Sequence, residues 1–388
     1  MKQIGSKERT QMNFSKLTAY LDSLKDVGIS GCDLIVYQNH KEIYRHITGL
    51  RDRENNIPMD GKEIYWIYSA TKVHTCTAAL QLVEKGLIGL DDPVGKYLPA
   101  FQTLSVIENG HVRAPRTTMT IRHLFAMQGG LNYDVESPSI MKAKFYSGDK
   151  ADTVAMVNAI AEEPLSFDPG THYMYSLCHD VLAAVVETVS GMKFSEYLKK
   201  NIWDKLGMKD VGFILTDEKK ARFAKQYMYD ENTKTSHVWE MGDKNRYQLT
   251  KNYESGGAGL LSTVEDYILL SDALANGGVG KTGERILTEG AIDLMRENQQ
   301  TGACMEDWKT FNRIGYGYGL GVRTLMDDTH SKSPVGEFGW DGAACAYTMI
   351  DPKNKLSAYY GQQVLGCGYG YHTIHPAIRD LIYEGLEA

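Results

Sequence analysis

The chain has 388 residues, with 42 lysines and arginines against 49 aspartates and glutamates and a formal net charge of -7. That length carries one large domain or two smaller ones with real cores, and the two signs of charge are mixed with no basic stripe, which excludes nucleic acid and anionic membrane as natural partners. Met1–Leu24 is polar and charged without an apolar core of signal-peptide length, and no run of about 18 apolar residues occurs elsewhere, so the expectation is a soluble, cytoplasmic protein that does not engage a membrane.

Phe14, Leu17, Tyr20, Leu21 and Leu24 recur at helical spacing over residues 13–25. Gly31–Tyr37, a turn at Gln38-Asn39-His40, and Ile43–Ile47 read as a β-hairpin. The aromatic run Ile64-Tyr65-Trp66-Ile67-Tyr68 leads into Ser69-Ala70-Thr71-Lys72, the start of a helix along which Val73, Cys76, Leu80 and Val83 recur and which Gly86 stops. Helical patterns dominate residues 90–204: Ile121–Met127, Ala151–Ala161, His179–Val189 and Phe194–Leu206. From about residue 208, strand-like runs at Val211–Leu215, Tyr347–Ile350 and Leu356–Gln362 mix with helices at Val264–Ala275, Glu289–Glu297 and after Pro376. The expected architecture is α/β (α+β), a mixed sheet built from both chain ends with a helical insertion. The division is 1–85 with 205–388 as a sheet domain and 86–204 as a mostly helical one, with a cleft between them.

Cys32, Cys76, Cys178, Cys304, Cys345 and Cys367 are scattered, with no Cys-x-x-Cys, and read as reduced core thiols rather than a disulfide framework. Eleven histidines include no His-Glu-x-x-His. His372/His375 and His172/His179 lack carboxylate or cysteine partners at ligand spacing, Cys178 apart, and its neighbour His179 points elsewhere on a helix; no metal is expected. Lys281-Thr282-Gly283 sits in a glycine-rich turn but is no phosphate loop, because Ala275 stands where the first glycine is needed.

Ser69 and Lys72 are three residues apart and so lie on one helix face. A serine in the first helical turn feels the positive end of the helix dipole, and a nearby amine can take its proton. Taken alone, the four residues are better read as a helix cap and an exposed lysine. Two further motifs follow in order. Pro169-Gly170-Thr171-His172-Tyr173-Met174-Tyr175-Ser176 is the first, and Phe338-Gly339-Trp340-Asp341-Gly342-Ala343 precedes a strand ending Ile350-Asp351-Pro352. Tyr65, Trp66, Tyr68, Tyr133, Tyr173 and Trp340 crowd the proposed site as wall or core, while Tyr316 and Tyr318 fit either a cleft loop or a packed strand.

With Leu87–Val94, Thr120–Leu124 with Gly130-Leu131, Tyr175-Ser176 with Asp180-Val181-Leu182, Leu206-Gly207-Met208 and Gly256–Thr263, the chain resembles, nearly end to end, the serine β-lactamase-related family. The likeness is to the branch near class C β-lactamases, family VIII carboxylesterases and D-amino-acid peptidases. The resemblance implies a β-lactamase/penicillin-binding-protein-like fold, an antiparallel sheet flanked by helices plus a helical domain. It implies Ser69 as nucleophile, Lys72 as its close partner and Tyr175 as the third member, with no cofactor. A lysine ammonium near Tyr175 is expected to lower the phenol pKa from its usual value near 10.

The third motif departs from the family's Lys-Thr-Gly, reading Trp340-Asp341-Gly342 as in its esterase-like members. An oxyanion hole survives that change because it uses main-chain N–H groups, assigned to Ser69 and Ala343. Replacing an ammonium by a ring beside an acid suggests a pocket for neutral or cationic acyl groups, with Asp341 facing either the cleft or solvent. Trp340, Asp341, Gly342, Tyr133 and His172 are the expected substrate contacts, His172 either lining the cleft or capping its loop. The expected activity is hydrolysis of small esters through an acyl-enzyme. Amide hydrolysis (β-lactamase or D-aminopeptidase-like) and acyl transfer are the alternatives in the same class. A silent scaffold on the same fold is the alternative of another class.

Overall fold

A computed structural model describes residues 12–387, so the first part of the Met1–Leu24 segment lies outside the described residues. The main sheet runs, in spatial order, Tyr316–Tyr318, Arg323–Leu325, Phe338–Gly339, Tyr347–Asp351, Leu356–Gly361, Gly31–Gln38, Lys41–Asp52 and Ile57–Pro58. Every neighbouring pair in it is antiparallel, so the sheet is not mixed. A parallel pair occurs instead in a small separate sheet, between Val364–Leu365 and Tyr227–Asp230. The N-terminal hairpin closes at Asn39 and His40, with φ of 49° and 64°. Two left-handed residues in a two-residue turn match the twist of the strands they join. The hairpin then docks on the C-terminal strands, with Leu34 opposite Tyr360 and Val36 opposite Ala358.

Period-two alternation sorts the core. Leu34, Val36, Ala358 and Tyr360 face one way, onto the helices Ser15–Ser23 and His375–Glu387. Ile35, Tyr37 and Tyr359 face the other way, into the larger core with the helices Thr71–Glu84 and Val264–Ala275. There Tyr267 stacks on Tyr359 at 3.9 Å between ring centroids. The Thr71 helix is buried from Thr71 through Leu82, all round rather than on one stripe. It packs on the Cys178–Ser190 helix, the centre of the 86–204 region.

One expected element is absent and two unforeseen ones are present. Val211–Leu215 is not a strand: only Gly212 bridges, to Leu261, and although Val211 and Phe213 are buried, Ile214 is exposed. A loop that tucks in two apolar side chains mimics strand alternation. The helix Pro138–Tyr146 goes unmarked in the sequence because Phe145 and Tyr146 both point to solvent, breaking the apolar stripe. The short hairpin Val106–Glu108 with His111–Arg113 interrupts the helical region. The last helix, His375–Glu387, continues directly from a π-helical turn over Gly370–Ile374, with Pro376 next to that junction. Tyr316–Tyr318 is a strand of the main sheet.

Gly321 ties the sheet to both central helices. Its φ is +88°, and a Cβ there would lie 2.2 Å from Cys76 Sγ and 3.0 Å from His179 Cε1, both buried. Gly321→Ala is expected to destabilise the fold by about 2–4 kcal/mol, from overpacking plus a left-handed backbone. Urea unfolding would show this as a lower midpoint with unchanged slope.

Candidate active site

Ser69 is held from both sides. The short strand Tyr65–Trp66 pairs with Leu261–Ser262, and the Ile67 N–H donates to Leu260 O at 3.0 Å. Tyr68 then takes a left-handed φ of 45°, unusual for a side chain of its size. It is fixed there by a hydrogen bond from its hydroxyl to Gln226 and by edge packing on Tyr247. The chain turns sharply and enters the helix through a single 3₁₀ turn, Tyr68–Ala70, which leaves Ser69 at the helix entrance. Tyr267 donates to Ala70 O at 2.8 Å, and the Leu260 N–H donates to Thr71 Oγ1 at 3.1 Å.

Lys72 lies one turn on, fully buried. Its Nζ is 3.2 Å from Ser69 Oγ, 3.3 Å from the Tyr133 hydroxyl and 2.7 Å from Gly257 O. Burial pulls its pKa from 10.5 down to about 7, partly opposed by the charge of Asp180. That is a penalty of about 5 kcal/mol on the ammonium. An amine that is about half unprotonated near neutrality, within hydrogen-bond reach of a serine, can act as its base.

Asp180 holds the other side of Lys72. Its Oδ1 accepts from Tyr253 and Ser255 hydroxyls, each at 2.6 Å, and from the Gly257 N–H at 3.3 Å. Gly257 must be glycine, because a Cβ would meet Asp180 Oδ2 at 2.4 Å. The carbonyl that receives Lys72 therefore belongs to a turn that Asp180 pins. In sequence, Asp180 stands out only as part of a motif, and its role appears once the turn is seen.

Tyr175 stacks between Tyr133 at 5.5 Å and Trp340 at 5.6 Å. Its hydroxyl accepts from Trp340 Nε1 at 3.1 Å. Lys72 Nζ lies 4.5 Å from the centroid of the Tyr175 ring, a cation–π position rather than a contact with the phenol oxygen. The expected depression of the Tyr175 pKa is reversed: burial raises it, against smaller opposing contributions from Ser69 and Trp340. Tyr175 is a neutral phenol here, suited to donating or relaying a proton rather than to serving as a base.

The third motif approaches the Ser69 turn closely. A Cβ on Gly342 would lie 2.4 Å from Ile67 O, so glycine lets this strand end reach the residues before Ser69. Tyr371 donates to Gly342 O at 2.8 Å, and its hydroxyl is 3.1 Å from Ala343 O. Asp341 lies on the cleft wall, but not as a free acid. It is buried, with Arg313 Nη2 at 2.5 Å on Oδ2 and Arg323 Nη1 at 3.1 Å on Oδ1. Burial works against its carboxylate, but the two guanidinium groups overcome that and hold its pKa below the ordinary value.

Ser69, Tyr133, Tyr175, Trp340, Gly342 and Ala343 share the wall of one cavity of about 460 Å³, with Lys72 behind them. His172 is not part of it. Its ring pairs with Asp307 at 2.9 Å and packs on Phe167, so it caps its loop. Tyr65, Trp66, Tyr68 and Tyr173 are core residues. The cavity also takes Arg246, Tyr247, Phe311 and Arg313 from loops that carry no motif, which is why sequence reading passed over them. Among the described residues no cluster of three or more His, Cys, Asp or Glu could hold a metal ion, and no helix is long and apolar enough to cross a membrane. Lys281 lies in an exposed turn bridged by Val279 and Arg285.

A family model described as Beta-lactamase matches residues 15–361. The chain belongs to the beta-lactamase family. Lovastatin esterase of Penicillium rubens is 28% identical over 369 residues, covering 88% of each chain. Esterase EstB of Burkholderia gladioli is 28% identical over 400 residues, covering 95% of each. Unliganded Simvastatin Synthase (LovD) from Aspergillus terreus superposes with a TM-score of 0.79 at 21% identity, over 97% of this chain and 100% of that one. The antiparallel sheet with its helices is thus the β-lactamase/penicillin-binding-protein-like fold. The beta-lactamase family places the chain among serine hydrolases.

Proposed function

We propose that the protein is a carboxylesterase-like serine hydrolase that acts on small esters through an acyl-enzyme. The observation that carries this reading is the buried amine of Lys72, with a pKa of about 7, set 3.2 Å from Ser69 Oγ at the edge of an aromatic cavity. Lys72 takes the Ser69 proton as Oγ bonds to the ester carbonyl carbon. The main-chain N–H groups of Ser69 and Ala343 receive the oxyanion. Collapse breaks the bond to the alkoxy group, which leaves as alcohol with a proton relayed by Tyr175. Water then attacks the acyl-enzyme by the reverse proton path, releasing the carboxylic acid and restoring Ser69. Trp340 in place of a lysine favours esters over β-lactam acids, and its Nε1–H orients the Tyr175 hydroxyl that relays the proton. The reading places the enzyme in the cytoplasm, a reducing compartment that suits its six buried free thiols.

The test is intact mass after exposure to a fluorophosphonate probe. One adduct is expected, mapping to the peptide that holds Ser69 and blocked by a p-nitrophenyl ester. Tyr175→Phe should still label, about 10- to 100-fold more slowly, because proton relay is impaired while the nucleophile remains. A folded wild-type sample that takes no adduct overturns the hydrolase reading in favour of a silent scaffold.

A further inference from the structure

The sequence expectation of a pocket for neutral or cationic acyl groups rested on a ring and an acid standing where relatives carry lysine. The side chains that meet at the cavity invert that balance. Asp341 is the one carboxylate among the described residues on its wall, and both its oxygens are bound by arginines. Arg313, shared by Asp341 and Tyr371 O, brings a guanidinium to the same wall. Arg246 brings a second. It is exposed at the cavity, its guanidinium 5.7 Å from the Tyr247 ring centroid, and it forms no ion pair among the described residues. Arg323, behind Asp341, also pairs with the buried Glu337 at 3.5 Å, so two buried carboxylates answer Arg313 and Arg323, and Arg246 is left as the guanidinium on the wall with no ion pair among the described residues. Aromatic walls lower the local dielectric, so an unanswered charge there is felt more strongly than on open surface. Guanidinium groups match carboxylates in geometry and pair with them through two parallel hydrogen bonds.

We infer that the ester taken at Ser69 carries a carboxylate, which Arg246 receives at the mouth of the cavity with Arg313 supporting the field. This deepens the esterase reading and rests on it for the chemistry, though not for the binding. The ester reacts as described above, and its carboxylate takes no part in bond making.

Two experiments separate the two ideas. In the first, kcat/KM is compared within matched pairs. One pair is mono-p-nitrophenyl glutarate against p-nitrophenyl valerate, with the charge on the acyl side. The other is 3-acetoxybenzoate against phenyl acetate, with the charge on the leaving group. The anionic member of at least one pair should be favoured about tenfold, as expected for a charge-assisted contact. The preference should shrink toward one in Arg246→Gln and in high salt. In the second, Ser69→Ala protein is titrated by calorimetry with 3-phenylpropionate and with 3-phenylpropanol, which needs no turnover. Tighter binding of the carboxylate, lost in Ser69→Ala/Arg246→Gln, supports the inference even if no ester is hydrolysed, in which case the esterase reading fails alone. Neutral members favoured or equal in both pairs, with equal binding of the two probes, overturns the inference while leaving any Ser69 acylation standing.

Discussion

Lys72→Ala should lower kcat for a p-nitrophenyl ester by about 10⁴-fold or more, and Ser69→Ala by at least as much, with the double variant little worse than either. Nucleophile and base act as a unit, so their losses do not add. The wild-type pH profile carries the more specific part of the prediction. Only the free amine accepts the Ser69 proton, and burial has brought the Lys72 pKa down to about 7. Below that pH the ammonium fraction rises, so kcat/KM should fall tenfold per pH unit; above it the profile should flatten. A base of ordinary lysine pKa would instead give a rate still climbing at pH 9, an outcome that rejects Lys72 as a buried base. The same depression has a stability consequence. Between about 7 and 10.5 the unfolded chain holds a proton at this site that the folded one lacks, so the contribution of Lys72 to stability rises with pH across that window.

How far the site was legible follows from how each residue is held. Ser69, Lys72 and Trp340 sit on elements with strong local signals, a helix entrance after an apolar strand and a glycine beside a strand, so their setting was legible, while their roles came from the resemblance of the spaced motifs to the β-lactamase-related family. Gly342 was legible for the same reason, and its close approach to Ile67 O explains why that position takes no side chain. Charge was not legible. Whether Asp341 acts on the cleft depends on Arg313 and Arg323, and the former lies on an irregular segment between Phe311 and Tyr316 that no periodicity marks. The direction of the Tyr175 pKa was also beyond sequence. Proximity to Lys72 was inferred correctly, but the ammonium lies over the ring face and not beside the oxygen, so burial decides the sign. The sheet was foreseen as joining both chain ends and, through the family resemblance, as antiparallel; the strand runs alone suggested a mixed sheet, because pairing partners such as Leu34 and Tyr360 lie far apart in sequence.

Asp180 gives the second large effect, and two substitutions divide its roles. Asp180→Ala removes the acceptor shared by Tyr253, Ser255 and the Gly257 N–H, all in the core. The Gly257 carbonyl should then lose its fixed position, and Lys72 with it. A displacement of about 1 Å at a catalytic base is enough for a roughly 100-fold loss, so kcat should fall about 10²- to 10³-fold. Unpaired buried hydroxyls add a stability loss of about 1–3 kcal/mol. Asp180→Asn keeps the shape, and its amide oxygen can accept the same three donors, but it removes the charge that opposes desolvation of the Lys72 ammonium. The Lys72 pKa should therefore drop further, and the acid limb of kcat/KM should move below pH 7 while the plateau changes less than in Asp180→Ala. A merely structural aspartate would move the plateau and leave the limb where it was. An Asn variant whose limb stays near 7 would thus show that Asp180 holds the Gly257 turn without tuning the amine, and the sign of the shift makes this the sharper of the two tests: any movement of the limb toward higher pH contradicts the electrostatic role outright.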